Sequence, residues 1–337
     1  MQRPIPATAG KNLTPDGRID VQHHILPPRY VEVVGDKAIG DLIVSGQRPN
    51  WSPQVSIDCM DRNGIAMAVT SISAPAFTNL PSDAARGLAR DCNEFAARMC
   101  ADFPGRFGMF ASLPMPDIDA SLRELDHCLR HLSADGVCLM TSYRGSYPGD
   151  ASFAELFQEL DRRAAAVHFH PVDTMAPKPL AGLPAATLEF PFDTTRAAVS
   201  LLFSGTLARH RRMKIILSHA GGTLPLLADR ICRLERRADF REKVPEGARA
   251  DLARLHVDTA LSASPHIFTA LRTIMPMTNV LFASDFPFAP EDTTAATIRG
   301  LDEIEMSPAE ARLVNRDNAL RLMPSLAAKL PAPASAL

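Results

Sequence analysis

Short apolar runs alternate with longer amphipathic stretches along most of the chain. Eight runs have this character: Arg18–Ile25, Ile65–Ser73, Arg106–Pro114, Gly136–Thr141, Ala166–Pro171, Lys214–Ala220, Leu255–Ala260 and Val280–Phe286. Most are too short for helices and rich in Val, Ile or Phe, which is typical of parallel strands covered on both faces. The stretches between them have helical spacing, for example Ser82–Ala101, Ile118–Leu132, Phe153–Ala165, Thr194–Arg209 and Leu224–Arg237. The pattern predicts alternating strands and helices.

This alternation indicates the α/β class, with a closed (β/α)8 TIM barrel as the first interpretation and an open doubly wound sheet as the alternative. No Gly-x-Gly-x-x-Gly motif follows the first run, which removes the most specific support for a dinucleotide-binding fold. We therefore predict one barrel domain over residues 18–323, an N-terminal extension at 1–17 and a flexible C-terminal tail at 324–337.

Two loop-like segments follow predicted strands on the same face of the barrel. Residues 26–54 contain several Gly and Pro residues and predict a small cap inserted after strand 1. The Pro-rich stretch Leu183–Asp193, after the fifth strand, predicts a second loop over the barrel mouth. Substrate selectivity is expected to lie in these two segments.

Composition and charge exclude several classes of protein. The 337 residues are 46% hydrophobic and 22% charged, with a net charge of -2 and no long block of like charge. A nucleic-acid or anionic-membrane partner therefore has no electrostatic support. No apolar run is long enough to span a bilayer, and the N-terminus has no apolar signal region. The six cysteines lack Cys-x-x-Cys pairing, which indicates buried, reduced thiols in a cytoplasmic protein.

Polar side chains stand where four of the predicted strands end. Gln22 and His24 close the first strand, His170 the fifth, His219 the sixth and Asp285 the eighth. In a barrel these ends converge on the carboxyl face, where active sites of this fold lie. Imidazole nitrogen and carboxylate oxygen on one ring of strands are suitable ligands for Zn²⁺, Mn²⁺ or a similar ion.

A single histidine at a strand end is more often a hydrogen-bonding core residue than a ligand. Four strand ends that carry such residues, brought together by one barrel, favour a site built from His24, His170, His219 and Asp285. For His168 and His23 the core interpretation is kept.

These motifs, in this order and spacing, resemble the amidohydrolase-2 branch of the metal-dependent amidohydrolase superfamily, which includes aminocarboxymuconate-semialdehyde decarboxylase and related aromatic-acid decarboxylases. The resemblance runs from about Ile19 to about Leu322. Its motifs are Ile19-Asp20-x-x-x-His24-x-x-Pro27, Trp51-Ser52-Pro53, Met60-Asp61-x-x-Gly64-Ile65, His170-Pro171, Ser218-His219-Ala220-Gly221-Gly222 and Ser284-Asp285-Phe286-Pro287-Phe288.

The resemblance implies a role for each matching residue. His24 and His170 match metal-binding histidines, Asp285 an aspartate ligand, and His219 a catalytic acid or base beside the metal. Arg230 matches an arginine that reaches a substrate carboxylate in the neighbouring subunit, which implies a homodimer or homotetramer. Phe288 resembles an aromatic wall of the substrate pocket, and Arg48 is a further candidate for binding the substrate carboxylate.

The chain departs from the family pattern at Gln22. The family usually has His-x-His after the first strand, and some related decarboxylases have Glu at the first position. Gln22 could ligate through its amide oxygen, but this is a neutral and poorer donor than imidazole. His23 does not compensate, because adjacent side chains on a strand face opposite ways.

The predicted function is metal-dependent, non-oxidative decarboxylation of a small aromatic or unsaturated carboxylic acid. One divalent ion is expected, Zn²⁺ first and Mn²⁺ second, with Asp285 or His219 as the acid that protonates the carbon bearing the carboxylate. The first alternative is a hydrolase acting on a lactone, ester or amide, metal-free if Gln22 weakens the site. The second is a non-catalytic binding barrel.

Overall fold

The computed structural model describes residues 17–172, 180 and 182–330. Residues 1–16 of the expected N-terminal extension and residues 331–337 of the expected tail lie outside the described residues.

Eight parallel strands form the sheet, in sequence order. They are β1 (Arg18–His24), β2 (Ile65–Ser71), β3 (Phe107–Ser112), β4 (Gly136–Met140), β5 (Ala166–His170), β6 (Lys214–Leu217), β7 (His256–Asp258) and β8 (Val280–Leu281). The sheet closes between its first and last strands: Val21 N donates to Phe282 O at 3.0 Å, and His23 bridges to Phe286 in parallel. The predicted TIM barrel is confirmed.

Helices surround the strands. Those of the described residues are α1 (Pro28–Val34), α2 (Asp36–Gly40), α3 (Pro53–Arg62), α4 (Ser82–Asp102), α5 (Ile118–His131), α6 (Ala154–Arg162), α7 (Ala185–Phe203), α8 (Thr206–Arg209), α9 (Leu224–Cys232), α10 (Ala238–Arg241), α11 (Ala248–Ala253), α12 (Pro265–Arg272), α13 (Glu291–Glu303), α14 (Pro308–Arg312), α15 (Asn318–Leu322) and α16 (Ser325–Lys329). Short 3₁₀ turns cover Ala151–Phe153, His219–Gly221, Arg233–Arg236 and Met277–Asn279, and Leu313–Asp317 is a π-helical turn.

Residues on both faces of the strands are buried, which explains why their sequences are apolar with little alternation. Every residue of β1, β3, β4 and β5 is buried. One face packs inside the barrel and the other against the helices, as in other parallel sheets covered on both faces.

The two predicted mouth loops differ in outcome. The segment between β1 and α3 contains α1 and α2, so the cap is partly helical. Leu183–Asp193 was predicted as a loop, and this is wrong: α7 begins at Ala185, directly after Pro184, and includes Pro191. The prolines in this segment predicted a loop, but tertiary packing stabilises a helix. Helix α7 lies against the turn after β6, and Ala186 N donates to Leu42 O of the cap at 3.2 Å.

Residues 324–330, directly after Met323, pack against the barrel. Helix α16 buries Leu326 completely, and Lys329 Nζ lies 2.6 Å from Asp135 Oδ2. Ordered structure therefore extends to Leu330, further than the expected tail boundary.

Within the described part of the chain, the search for membrane-spanning helices finds none with the necessary length and apolar character.

Candidate active site

Five polar side chains meet at the carboxyl mouth of the barrel, with Asp285 at their centre. His24 Nε2 lies 2.9 Å from Asp285 Oδ1, and His170 Nε2 lies 3.8 Å from the same oxygen. His219 Nε2 lies 3.9 Å from Asp285 Oδ2. Gln22 Nε2 is 2.6 Å from Asp285 Oδ1 and 3.2 Å from His219 Nε2. The alternation of side chains along β1 directs both Gln22 and His24 to this point.

The hydrogen-bonding state of His170 suits a metal ion. Its Nδ1 lies 2.8 Å from Pro171 O, which can only accept, so Nδ1 carries the proton and Nε2 is left with a lone pair. That lone pair points towards the Asp285 carboxylate. Ligand atoms of His24, His170 and Asp285 all lie within 4.8 Å of one another. Two acceptors that face each other in this way can be satisfied by a cation between them.

Gln22 is oriented as a hydrogen-bond donor to Asp285 rather than as a ligand. Its Oε1 is buried and has no hydrogen-bond partner among the described residues. Rotation of the amide by half a turn would exchange Nε2 and Oε1 and bring the oxygen to the cluster. An unpartnered buried oxygen beside three potential ligands fits an oxygen donor to a divalent ion.

Burial and hydrogen bonding shift the pKa values of Asp285 and its neighbouring histidines in different directions. Burial raises the pKa of Asp285, but hydrogen bonds with His219 and His24 outweigh it and hold the pKa well below its usual range. Burial lowers the pKa of His170 to about 4, so this ring is neutral. Burial also lowers the pKa of His219, but the Asp285 carboxylate outweighs this and raises it above its ordinary value. Asp285 is therefore ionised, and the protonated form of His219 is favoured relative to a free imidazole.

The backbone of this site is held in an unusual conformation. His219, Ala220 and Asp285 have φ angles of 55°, 56° and 63°, in the left-handed region that non-glycine residues seldom adopt. Each such residue costs about 1–3 kcal/mol and persists only where its surroundings fix it. Asp285 N donates to Gln22 O at 2.9 Å, and His219 N donates to Asp258 Oδ1 at 2.9 Å.

Gly222 allows the turn after β6 to approach α7. Its φ is +67°, and a Cβ at this position would lie 2.0 Å from Pro191 O. Only glycine fits this close approach of two backbones. The turn that carries His219 is thereby packed directly against a helix.

Comparison with known proteins identifies the family. The family described as amidohydrolase matches residues 19–324, nearly the whole chain. The chain belongs to this amidohydrolase family. The resemblance seen in the sequence is confirmed.

The amidohydrolase has relatives with assigned reactions. It is 37% identical over 322 residues to 6-methylsalicylic acid decarboxylase of Penicillium expansum, covering 92% of this chain and 97% of that one. It is 36% identical over 323 residues to decarboxylase yanB of Aspergillus niger, covering 91% and 87%. These relatives are carboxy-lyases, as the sequence predicted.

Solved structures have the same architecture. A protein described as amidohydrolase II superposes with a TM-score of 0.84 at 26% identity, covering 91% of this chain and 99% of that one. A 2,6-dihydroxybenzoate decarboxylase bound to 2,6-dihydroxybenzoate has a TM-score of 0.76 at 23% identity, covering 92% and 99%. The second comparison shows the fold alone.

The amidohydrolase places the candidate substrate-binding residues at different distances from the cluster. Phe288 contacts His24 edge-on, with ring centroids 5.4 Å apart, and so lies beside the site. Arg48 belongs to the cap, where it donates to Asp36 Oδ1 at 2.6 Å and to Pro49 O at 2.9 Å. These contacts place Arg48 in an ion pair of the cap, where its guanidinium is already engaged.

Arg230 is exposed on α9, and no hydrogen bond or ion pair joins it to another described residue. Two acidic residues near it in sequence, Asp229 and Glu235, are engaged elsewhere. Asp229 pairs with Arg249, and Glu235 Oε2 accepts from Ala248 N at 2.8 Å. The guanidinium of Arg230 is therefore available to a ligand or a second subunit.

Several polar residues that support the site were not predicted from the sequence. Ser71 Oγ lies 3.0 Å from His24 Nδ1, and Ser73 Oγ lies 3.4 Å from His170 Nε2. Asp193, on α7, is buried and hydrogen-bonded by Tyr147 OH at 2.7 Å. Asp258 closes β7 and contacts His168. The strand-end argument that selected Asp285 applies equally to Asp258.

Proposed function

We propose that this chain is a metal-dependent, non-oxidative decarboxylase of a small aromatic carboxylic acid, with a 2-hydroxybenzoate carrying an alkyl group as the substrate class. The observation that carries the proposal is the cluster of His24 and His170 around the Asp285 carboxylate, with His219, whose pKa this carboxylate raises, beside it. The relatives named as 6-methylsalicylic acid decarboxylases, 37% and 34% identical, support the substrate class.

His24, His170 and Asp285 would hold the divalent ion, with Gln22 Oε1 as a further donor after rotation of its amide. When bound, such an ion supplies Lewis-acid polarisation and orientation of the substrate carboxylate and its neighbouring hydroxyl. Two imidazoles with a carboxylate suit Zn²⁺, our first choice. Mn²⁺ is the alternative, supported by the oxygen donors and by a structural neighbour complexed with manganese.

His219 is the proton donor in this proposal. Its proton passes to the ring carbon that bears the carboxylate, which interrupts the aromatic ring. The carbon–carbon bond then breaks, its electron pair restores the aromatic ring, and carbon dioxide leaves. Asp285 is the weaker candidate for this step, because its neighbours hold it ionised. His219 is 10% exposed and can regain a proton from solvent.

The surroundings favour an apolar ring substituent. Phe288 lies beside His24, as an aromatic wall would. A small cavity at the carboxyl ends of β2, β3 and β4 is lined mainly by apolar side chains, among them Ile72, Phe77, Leu113 and Met140. Its Tyr143 hydroxyl accepts a hydrogen bond from Met140 N at 2.8 Å. An alkyl group would suit this lining better than a second hydroxyl.

The working assembly in this proposal is a homodimer or a homotetramer built from dimers. Its support is the exposed, unengaged Arg230, which a neighbouring subunit could receive at its own site to bind the substrate carboxylate. The six free cysteines support a cytoplasmic location.

The test is product analysis with purified protein supplied with Zn²⁺ or Mn²⁺. With 6-methylsalicylate we expect 3-methylphenol and carbon dioxide in equal amounts, and slower turnover of 2,6-dihydroxybenzoate. His24→Ala and Asp285→Asn should abolish turnover. Hydrolysis of lactones or esters without carbon dioxide release from any benzoate would overturn the proposal in favour of the hydrolase.

A further inference from the structure

The stretch of chain that carries Asp285 lies beyond the regular strand ladder. Strand β8 has only two residues, and Asp285 takes a φ of 63°. Two backbone hydrogen bonds join this stretch to β1: Asp285 N donates to Gln22 O at 2.9 Å, and His24 N donates to Phe286 O at 2.7 Å. The N–H groups of Ser284 and Phe286, on either side of Asp285, are buried and need other acceptors.

The side chains of Asp20 and Ser284 supply these acceptors. Asp20 Oδ1 accepts from Ser284 N at 3.0 Å and from Gln22 N at 3.2 Å. The Ser284 hydroxyl donates to Asp20 Oδ2 at 2.5 Å, and the same hydroxyl oxygen accepts from Phe286 N at 3.1 Å. Both side chains are fully buried, so water does not compete for these contacts. The pair therefore holds the backbone directly before and directly after Asp285.

The carboxylate of Asp20 is itself held in place by residues of the barrel wall and the cap. Its Oδ2 also accepts from His23 Nδ1 at 3.0 Å. The other ring nitrogen of His23 lies 2.9 Å from Ser56 Oγ on α3. Ser56 Oγ accepts in turn from Trp51 Nε1, at the end of the cap, at 2.8 Å. The orientation of the Asp20 carboxylate is thus fixed by contacts on β1 and α3 as well as by Ser284.

We propose that Asp20 and Ser284 are positioning residues for the Asp285 carboxylate. A non-glycine residue with a positive φ persists only where its surroundings fix it, and these two side chains fix the backbone on both sides of Asp285. In this conformation Asp285 Oδ1 lies 2.9 Å from His24 Nε2 and 3.8 Å from His170 Nε2. Loss of the pair should displace the carboxylate and weaken metal binding. This inference rests on metal binding in the proposed function.

Ser284→Ala removes one hydroxyl from the pair and little else. Phe286 N loses its acceptor, while the bond from the backbone N–H of residue 284 to Asp20 can remain. The measurement is the affinity of the full-length, metal-stripped protein for Zn²⁺ and for Mn²⁺, with Tm recorded for each variant. We expect binding to weaken by about 10- to 100-fold, as is typical when a residue that orients a metal ligand is removed.

Two further serine variants separate positioning from a merely structural role. Ser284→Thr keeps the hydroxyl and should bind both ions more tightly than Ser284→Ala. Ser121→Ala is the matched control, because Ser121 lies on α5, is equally buried, and its hydroxyl has no hydrogen-bond partner among the described residues. It should leave metal affinity unchanged. A hydroxyl at residue 284 that served stability alone would lower Tm on removal without changing metal affinity.

Asp20→Asn tests the other member of the pair. The N–H groups of Gln22 and Ser284 should hold the amide oxygen where Oδ1 was, so that the amide nitrogen replaces Oδ2. An amide nitrogen cannot accept the Ser284 hydroxyl hydrogen, and metal affinity should again fall by about 10- to 100-fold. In the Ser284→Ala background Asp20→Asn should cause less loss than it does alone, because both changes break the same hydrogen bond.

Asp251→Asn is the control for the change of carboxylate to amide, since Asp251 is almost fully buried on α11 and pairs with Arg254. It should bind both ions as tightly as the wild type.

Three outcomes are distinguishable. If the wild-type protein binds neither ion, the proposed metal site fails before this inference is reached. If the wild type binds metal but Ser284→Ala or Asp20→Asn binds equally well, the inference is overturned and the proposed function stands. Fully additive losses from the two substitutions would also overturn it. Should Asp20→Asn not fold, the comparison of Ser284→Ala with Ser284→Thr decides alone.

Discussion

Replacement of Gln22 by histidine gives the sharpest test of the metal site. Gln22 Nε2 donates to Asp285 Oδ1 at 2.6 Å, the same oxygen that His24 and His170 face. That hydrogen bond competes with a metal ion, because the amide must rotate and break it before Gln22 Oε1 can act as a donor. Hydrogen bonds to charged groups contribute about 1.5–3 kcal/mol, which corresponds to about 10- to 150-fold in affinity. Gln22→His should remove this competition and add a nitrogen ligand.

We therefore expect Gln22→His to bind Zn²⁺ at least about 10-fold more tightly than the wild type. The assay is competition with a chelating dye, with metal content after dialysis as a second measurement. Gln22→Leu is the control: it removes both the hydrogen bond and the amide oxygen without supplying a nitrogen ligand, and it should bind Zn²⁺ less tightly than Gln22→His. Equal affinities in all three proteins would refute the reasoning, because residue 22 would then have no influence on the ion.

Three further predictions concern stability, pH and assembly. Gly222→Ala should lower the free energy of unfolding by about 3 kcal/mol or more in chemical denaturation, because the new Cβ would lie 2.0 Å from a backbone carbonyl oxygen of α7. Gly35→Ala is the control: its Cβ would have no atom within 4 Å, and the free energy of unfolding should fall by about 1 kcal/mol. The Asp285 carboxylate raises the pKa of His219 above its unfolded value, so the metal-free protein gains stability from protonated His219 at low pH and loses it as pH rises through the folded value. The difference in Tm between wild type and His219→Gln, measured over a pH series, should accordingly shrink as the pH rises above the ordinary histidine value of 6.5. Arg230→Ala should raise KM about 10- to 100-fold without changing Tm, and a fully active monomer in sedimentation would contradict the trans-acting role.

The fold was predictable because its strands are buried on both faces and therefore stand out as apolar runs. The strand ends were less predictable. The eighth run was predicted to reach Phe286, but β8 ends at Leu281. There the chain leaves the regular ladder: Phe282 N donates to Val314 O at 2.8 Å, and Asp285 takes a positive φ. Sequence periodicity carries no information on this change of partner.

The candidate site was predictable as far as topology determines it. A barrel brings the carboxyl ends of its strands together, which was enough to group His24, His170, His219 and Asp285. It does not determine how a cap folds, and Arg48 is therefore held by Asp36 in a contact that no spacing rule reveals. The contact between His168 Nε2 and Asp258 Oδ2, at 3.1 Å, was also hidden, because the two residues come from different strands, β5 and β7.

The closure of the barrel between β1 and β8 also has a consequence for biosynthesis. Gln22 and Asp285 are 263 positions apart in sequence, yet they bond to each other and complete the same cluster. A nascent chain emerging from the ribosome carries His24 early but gains Asp285 only when most of the protein has been made. A chain truncated before β8 would lack the carboxylate and could not assemble the ion site. Metal loading is therefore expected to follow completion of the barrel, so that an incomplete product is also an inactive one.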